Sequence, residues 1–223
     1  MIVMERLPHG YTNRTRIVGG LVEKVYEGPD RDAHSRAERA CLWALAEALP
    51  VAGIVDSDPA VPRLNLTVLP GAHGQDLIDA GHAEEVLRLV GVTLRAVQSV
   101  PVEDIPGLAG DGSVVVHGDF GPQNMLFDLE HDRVTGIVDW ERAHRGRPIE
   151  DLAWCEWLIR MHHPDAVGAL DALFGAYGER PSWRDRHEAM LMQVRELIAY
   201  CERARQPSDW PERLARTEQW SAE

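Results

Sequence analysis

The sequence has almost no lysine: among its 23 Lys and Arg residues, only residue 24 is a lysine. It also has no apolar run long enough to span a bilayer, and its start lacks the basic flank and apolar segment of a secretory signal. Its three cysteines lie far apart in helical patterns, which predicts buried thiols in a reducing compartment: Cys41, Cys155 and Cys201. We therefore expect a cytoplasmic protein with no membrane partner.

The charge balance is strongly acidic, with a formal net charge of −13 over 223 residues. Nucleic-acid binding depends largely on neutralising phosphates, so we expect no nucleic-acid partner. A cationic small molecule fits this charge better. The chain is long enough for one domain or two small lobes, and its patterns do not indicate an oligomeric state.

The single lysine lies in the third strand of a predicted three-stranded meander, after a Gly19-Gly20 hairpin turn. Alternation places Lys24 on one strand face with Val22 and Tyr26. All the other Lys and Arg positions of the chain are arginine, so a compact ammonium at this position indicates a specific carboxylate partner. The helix predicted over residues 30–49 offers Glu38, which borders its packed face. Glu27 and Glu47 are the alternatives.

The richest stretch runs from Val114 to Trp140 and reads VVVHGDFGPQNMLFDLEHDRVTGIVDW. A β-branched strand leads into a Gly- and Pro-rich loop that carries Asp119, and Asn124 follows five residues later. Two short strands, 125–127 and 134–138, then lead to Asp139. The pattern predicts that Asn124 and Asp139 lie at adjacent strand ends.

Phosphoryl transfer from a nucleotide needs a group that orients the attacking hydroxyl and oxygen ligands for magnesium. Asp119 can supply the first, and Asn124 and Asp139 can supply the second. A metal-dependent hydrolase is an alternative that would take its ligands from these aspartates and two histidines, His117 and His131. It explains Asn124 and the Gly-Pro loop less well.

The motifs H-G-D-F-G-P-Q-N and I-V-D-W resemble those of the aminoglycoside phosphotransferase and choline kinase family. The resemblance implies an α+β, two-lobed protein-kinase-like fold. Residues 1–69 would form a small antiparallel β lobe that ends in a hinge, and residues 70–223 a largely helical large lobe. It also implies a kinase that uses ATP, or GTP, with Mg²⁺ to phosphorylate a hydroxyl of a small, amine-bearing acceptor.

The resemblance also implies roles for individual residues. Asp119 would orient the acceptor hydroxyl, Asn124 and Asp139 would hold magnesium, and Lys24, oriented by Glu38, would hold the α and β phosphates. The segment G-Y-T-N-R is similar to the family's phosphate loop, and an apolar strand before Pro-Gly is similar to its adenine-binding hinge. The nucleotide-binding residues expected from these two segments are Gly10, Tyr11, Thr12, Asn13, Thr67, Val68 and Leu69.

Several interpretations remain open in the second half of the chain. The P-x-x-D-L-A segment resembles one in which the aspartate supports the catalytic loop, and Asp151 is also suited to cap a helix. We expect His117 to brace the loop by hydrogen bonds. Four acidic residues are candidate contacts for an amine, with solvated helix faces as the alternative: Glu141, Glu150, Glu156 and Asp185.

Three other functions compete with an antibiotic kinase. A silent nucleotide-binding scaffold would share the fold, but such a protein would be expected to lack the base or a metal ligand. A metabolic kinase for choline-like alcohols or amino sugars would share the whole site. A protein kinase would carry D-F-G and A-P-E motifs, which this sequence lacks.

Overall fold

The structure is a computed structural model that describes residues 5–6, 13–58 and 60–221. Most of the strand predicted over residues 1–7 lies outside these residues. So do Gly10, Tyr11 and Thr12 of the expected phosphate loop.

The N-terminal part is a five-stranded antiparallel sheet with strand order β1-β2-β3-β5-β4. Both glycines of its first described hairpin, Gly19 and Gly20, have positive φ angles of 61° and 82°. Two such residues form the turn that matches the twist of paired strands. The register places Lys24 on the central strand, opposite Thr15 and Leu64. The strands are β1 Glu5–Arg6, β2 Arg14–Val18, β3 Leu21–Val25, β4 Ile54–Asp56 and β5 Arg63–Thr67.

Helix α1, Arg31–Leu45, packs next to this sheet and buries Glu38 on its inner face. The helix predicted to reach residue 49 ends four residues earlier. The carbonyl of Leu45 accepts from the amides of both Ala48 (3.0 Å) and Leu49 (2.9 Å), so the chain turns there, ahead of Pro50. The prolines of segment 51–63 predict a loop, but the segment contains β4. That prediction was wrong because a three-residue edge strand with an irregular register leaves little periodic signal.

The C-terminal part is mainly helical, with two small antiparallel sheets next to its helices. One sheet has the order β6-β8-β9, and the other pairs β7 with β10. The strands are β6 Ala72–His73, β7 Val114–Val116, β8 Met125–Asp128, β9 Arg133–Ile137 and β10 His144–Gly146. The helices are α2 Gly74–Asp79, α3 Ala83–Gln98, α4 Ile149–His162, α5 Leu170–Tyr177, α6 Trp183–Ala204 and α7 Trp210–Glu218.

Helix α3 forms the centre of the main core, as its 3.6-residue pattern predicts. That pattern predicts a buried stripe of seven residues, and all seven are buried: Val86, Leu87, Leu89, Val90, Thr93, Leu94 and Val97. The helical pattern over residues 165–178 predicts a single helix, but the structure divides it into a short 3-10 segment, Pro164–Ala169, and α5. Cys41 and Cys155 are buried as expected, whereas Cys201 is half-buried. None of the helices described has both the length and the apolar character needed to cross a membrane.

We expect Gly91→Ala to destabilise the fold although alanine favours helices. A Cβ added at Gly91 on α3 would lie 2.4 Å from the carbonyl oxygen of Leu173 on α5. Such overpacking costs about 1–3 kcal/mol. Gly175→Ala is the matched control, because Gly175 lies on the exposed side of α5 and nothing lies within 4 Å of a Cβ added there. It should stabilise by about 0.5–1 kcal/mol. Urea unfolding would measure both free energies, and equal stability of the two variants would contradict the close packing.

Candidate active site

The ammonium of Lys24 lies among three carboxylates from separate parts of the chain. Its Nζ is 2.5 Å from Glu38 on α1, 2.5 Å from Asp139 after β9, and 3.3 Å from Glu141. The hydroxyl of Tyr26 donates a second hydrogen bond to the Glu38 carboxylate at 2.7 Å. The contact expected between Lys24 and Glu38 is therefore present. Exposed Glu27 pairs with Arg14 instead.

The charges of this cluster do not cancel. Burial disfavours the charged form of Lys24, yet its pKa lies well above the usual range because three carboxylates surround it. Burial raises the pKa of Glu38, although Lys24 opposes this effect. Burial would also raise the pKa of Asp139, but the attraction of Lys24 and the other neighbours outweighs it, so this pKa lies below its ordinary value. The oxygens of the three carboxylates lie within 4.8 Å of one another. One ammonium among three carboxylates leaves an excess of negative charge, which favours a further cation.

Glu141 is a buried member of this cluster and does not line the cavity described below. Its carboxylate also accepts a short hydrogen bond from the side-chain amide of Asn13, the one phosphate-loop candidate that the structure describes. As a free contact for an amine, Glu141 was therefore wrongly assigned. No local pattern indicates this contact, because Lys24 lies 117 positions away along the chain.

The loop after β7 places Asp119 beside Asn124. The amide nitrogen of Asn124 donates to Asp119 at two points, the carboxylate Oδ2 and the backbone oxygen, each at 2.9 Å. The amide of Val138 donates to the backbone oxygen of Asn124 at 3.0 Å, which brings the next residue, Asp139, to the same strand end. The three residues thus converge. All three line one cavity.

The carboxylate of Asp119 accepts hydrogen bonds from two neighbours that the sequence analysis did not identify. The indole nitrogen of Trp154 on α4 donates to its Oδ1 at 2.7 Å, and Gln123 donates to the same oxygen at 3.2 Å. Burial raises the pKa of Asp119 to about 6, and the Trp154 bond is the largest effect opposing it. A base with a pKa near neutrality is suited to accept a proton at physiological pH. The sequence pattern predicts only that Trp154 lies in the helix that follows Asp151.

His117 connects the loops that carry Asp119 and Asp139. Its Nε2 donates to the carbonyl of Val138 at 3.0 Å, and its Nδ1 accepts from the amide of Asp119 at 3.3 Å. A carbonyl only accepts and an amide only donates, so this pair of bonds requires the neutral ring with its proton on Nε2. Burial lowers the pKa of His117 to about 4, which agrees with that form.

Asp151 supports the same loop from the first turn of α4. Its carboxylate accepts from the amides of His117 at 2.7 Å and Gly118 at 3.0 Å. The alternative role as a helix cap is wrong, because α4 begins two residues earlier with Pro148 at the cap position. The two loop amides are the donors that the carboxylate reaches. Burial raises the pKa of Asp151 to about 7, although both amides oppose it.

Asp139 has a left-handed backbone, with φ 69° and ψ 54°. This conformation is uncommon outside glycine, although aspartate tolerates it better than most residues. It costs on the order of 1 kcal/mol and occurs most often at functional sites. The turn directs the carboxylate towards Lys24 while leaving it 32% exposed.

The cavity beside these residues has a volume of about 670 Å³. Asp119, Asn124 and Asp139 lie on one side of it, and aromatic and aliphatic residues of α4, α6 and α7 form much of the rest. Trp154 stacks on Trp157 with ring centroids 4.4 Å apart and planes 4° apart. Pockets of this size and character are typical of small-molecule sites.

The remaining candidates for amine contacts also lie away from the cavity lining. Glu156 is buried between Arg160 and Arg186, and Glu150 pairs with His144 and Arg147. Asp185 is exposed and accepts a hydrogen bond from Ser182 at the start of α6. The structure thus places these three carboxylates outside the cavity lining, each with a partner in the chain.

The hinge candidates lie at the junction of the two parts of the chain. Thr67 ends β5, and its hydroxyl accepts from the amide of Gly53 at 2.9 Å. Val68 is 50% exposed, and Leu69 is half-buried. Their adenine-binding role stays a prediction. The ligands of the alternative hydrolase site are not brought together, because His131 is exposed and pairs with Asp128.

The donors at the strand end fit a magnesium ion. Asn124 uses its amide nitrogen on Asp119, which leaves its side-chain oxygen available, and Lys24 holds one oxygen of the Asp139 carboxylate. Carboxylate and amide oxygens are the ligands that hard divalent cations prefer. The excess negative charge of the Lys24 cluster favours the same ion.

Comparison with known proteins shows the family and the fold of the chain. The model of the phosphotransferase enzyme family matches residues 3–113 and 107–192. Among solved structures, a macrolide 2'-phosphotransferase from Brachybacterium faecium has a TM-score of 0.67 at 18% identity. The alignment covers 99% of this chain and 93% of the neighbour's chain. A GDP complex of aminoglycoside 2'-phosphotransferase-IIIa has a TM-score of 0.74 at 16% identity, covering 98% and 91%. The chain therefore has the two-lobed kinase-like fold of these enzymes.

The curated relatives match over shorter stretches. A viomycin phosphotransferase from Streptomyces vinaceus is 46% identical over 43 residues, which are 18% of this chain and 15% of the relative. A probable acyl-CoA dehydrogenase from Arabidopsis thaliana is 34% identical over 115 residues, which are 51% of this chain and 12% of the relative. The chain thus spans well under a fifth of the length of these curated relatives.

We expect the ring of His117 to stay neutral well below the pH at which His144 becomes charged. Burial lowers the pKa of His117 to about 4, whereas a hydrogen bond to Glu150 raises that of His144. An NMR titration of the ring protons would show which of the two histidines has the lower pKa. The His117→Gln variant would identify the His117 signal by its loss. Because the folded pKa of His117 lies below its ordinary 6.5, stability should fall as the pH drops from 6.5 towards 4. Protonation of His117 at or above 6.5 would contradict the neutral bridge.

Proposed function

Since the chain belongs to the phosphotransferase enzyme family, we propose that it is a magnesium-dependent kinase that phosphorylates a hydroxyl of a small molecule. The observation that carries this proposal is the convergence of Asp119, Asn124 and Asp139 on one cavity, with the Lys24 ammonium bonded to Asp139. The phosphoryl donor would be ATP or GTP. A GDP complex of a structural neighbour supports a nucleotide of this kind.

In the proposed reaction the acceptor oxygen bonds to the γ-phosphorus as the bond to the β,γ-bridging oxygen breaks. Asp119 orients the hydroxyl and takes its proton, and the nucleoside diphosphate leaves with the bonding electron pair. The raised pKa of Asp119, about 6 because of burial, suits this exchange. Its bonds from Trp154 and Asn124 fix the direction of the carboxylate.

The other residues would hold the nucleotide. Asn124 and Asp139 hold magnesium, which neutralises negative charge on the phosphates when bound. Lys24 binds the α and β phosphates, and Glu38 orients it from α1. Residues 1–69 form the nucleotide-binding lobe and residues 70–223 the acceptor lobe. The proposed nucleotide contacts are Gly10, Tyr11, Thr12, Asn13, Thr67, Val68 and Leu69.

The acceptor would occupy the cavity between the catalytic loop and helices α4, α6 and α7. An amine-bearing antibiotic is the proposed class, supported by the net charge of −13 and by the similarity to a viomycin phosphotransferase. Asp209 is a cavity-lining carboxylate beyond the proposed catalytic pair, and it pairs with Arg213. An amine would therefore compete with Arg213 for Asp209, while stacked tryptophans offer an apolar surface to its ring system.

We expect Asp119→Asn and Asp139→Asn to separate chemistry from binding. The first removes the proton acceptor and should lower turnover by 100-fold or more, roughly the contribution of a general base, with nucleotide binding retained. The second removes a metal ligand and should also weaken magnesium-dependent nucleotide binding. Nucleotide consumption with a panel of aminoglycosides, viomycin, macrolides and choline would measure turnover, and calorimetry would measure binding.

Asp128→Asn is the matched control, since Asp128 lies on the turn side of the same hairpin and pairs with His131 and Arg133. It should leave both measurements unchanged. An Asp119→Asn variant as active as the parent protein would refute the proposed base.

We expect Trp154→Phe to move the acidic limb of the activity profile to higher pH. Burial raises the pKa of Asp119 to about 6, and the Trp154 hydrogen bond holds it from rising further. Activity requires the carboxylate form, so losing the bond means that activity fades at a higher pH as acid is added. Trp157→Phe is the control, because the indole of Trp157 donates to Thr217 at 2.8 Å. A limb that moves equally in both variants would contradict the specific role of Trp154.

A further inference from the structure

Arg142 ends the single helical turn that follows Asp139 and lines the same cavity as Asp119 and Asp139. The backbone holds it against the catalytic loop: a Cβ added at Gly118 would lie 2.9 Å from the Cβ of Arg142 and 2.5 Å from its carbonyl oxygen. The same carbonyl accepts from Nδ1 of His144 at 3.0 Å. The side chain therefore starts from a fixed point beside the residue that precedes Asp119.

The guanidinium of Arg142 has no hydrogen-bonded or ion-paired partner among the described residues. Arg213, which lines the same cavity, pairs with Asp209 and covers the ring of Trp210 at 4.8 Å. Lys24 is bonded to three carboxylates and does not line the cavity. Within the described chain, Arg142 is thus the uncommitted arginine of this cavity.

Arg142 acts electrostatically on both carboxylates of the proposed reaction. Burial and Trp154 have larger effects on the pKa of Asp119, and burial and Lys24 on that of Asp139, but Arg142 lowers both. In the proposed reaction the γ-phosphoryl group passes between a hydroxyl at Asp119 and a nucleotide held at Asp139. A cation close to both carboxylates is therefore close to the path of that group.

We propose that Arg142 is a further catalytic residue, whose guanidinium binds the oxygens of the phosphoryl group during its transfer. This inference rests on the proposed function. A planar guanidinium can give two parallel hydrogen bonds to a phosphoryl group, which a lysine cannot. Negative charge spreads over the equatorial oxygens as the bond to the leaving group breaks. A fixed cation therefore stabilises the transition state more strongly than it stabilises the bound nucleotide before reaction.

The experiment compares Arg142→Gln and Arg142→Lys with the parent protein by calorimetry, using the full chain and Mg²⁺. Each protein is titrated with ADP alone and with ADP plus aluminium fluoride, which mimics the phosphoryl group in transfer while water replaces the acceptor. We expect fluoride to tighten ADP binding to the parent. Arg142→Gln should lose about 10- to 100-fold of that gain, the worth of a charge-assisted hydrogen bond, and keep the parent's affinity for ADP alone. Arg142→Lys should lose less.

Arg195→Gln is the charge-matched control, since Arg195 is exposed and pairs with Glu218; it should keep the full fluoride gain. An Arg142→Gln variant with the full gain would overturn the inference. So would a variant with weaker binding of ADP alone, because Arg142 would then hold the nucleotide itself. So would a parent protein whose ADP affinity does not respond to fluoride. A parent that binds no nucleotide would instead refute the proposed function.

Discussion

One buried ammonium holds the two parts of the molecule together. Lys24 comes from the N-terminal sheet, Glu38 from the helix beside it, and Asp139 and Glu141 from the turn that follows β9. Buried ion pairs gain little stability over apolar packing, but a buried charge without its partner is costly. The cluster therefore specifies how the two parts meet. It also concentrates negative charge where the proposed metal and nucleotide would bind.

The support around the catalytic loop consists mainly of hydrogen bonds between two side chains and the backbone. His117 joins the carbonyl of Val138 to the amide of Asp119, and Asp151 accepts from the two preceding amides. These bonds leave the side chains of Asp119 and Asp139 directed into the cavity. Burial raises the pKa of both carboxylates, but Lys24 lowers that of Asp139 below its ordinary value, whereas Trp154 only partly offsets the rise at Asp119. The carboxylates of Asp119 and Asp139, which line the same cavity, thus differ in how readily they take up a proton.

The sequence predicts the parts of this site that depend on local spacing. Asp119, Asn124 and Asp139 follow strand ends, and Lys24 could be singled out because it is the only lysine. Glu141 and Trp154 could not be assigned, because their partners, Lys24 and Asp119, are distant in the chain. The same reasoning explains why two roles stayed open at Asp151, since the two loop amides that its carboxylate binds are more than thirty positions away. The short strands β4 and β6 lie below what periodicity can detect.

The hairpin of β8 and β9 has a consequence for how enzymes with this site can diverge. Asn124 and Asp139 flank its open end, while the connecting residues 129–132 lie at the opposite end, largely exposed. Lengthening that connection would leave the pair of ligands in place. Inserting one residue within β9 would instead reverse which side chains face the core and rotate the carboxylate out of reach. Length variation among relatives should therefore be confined to the connection between β8 and β9.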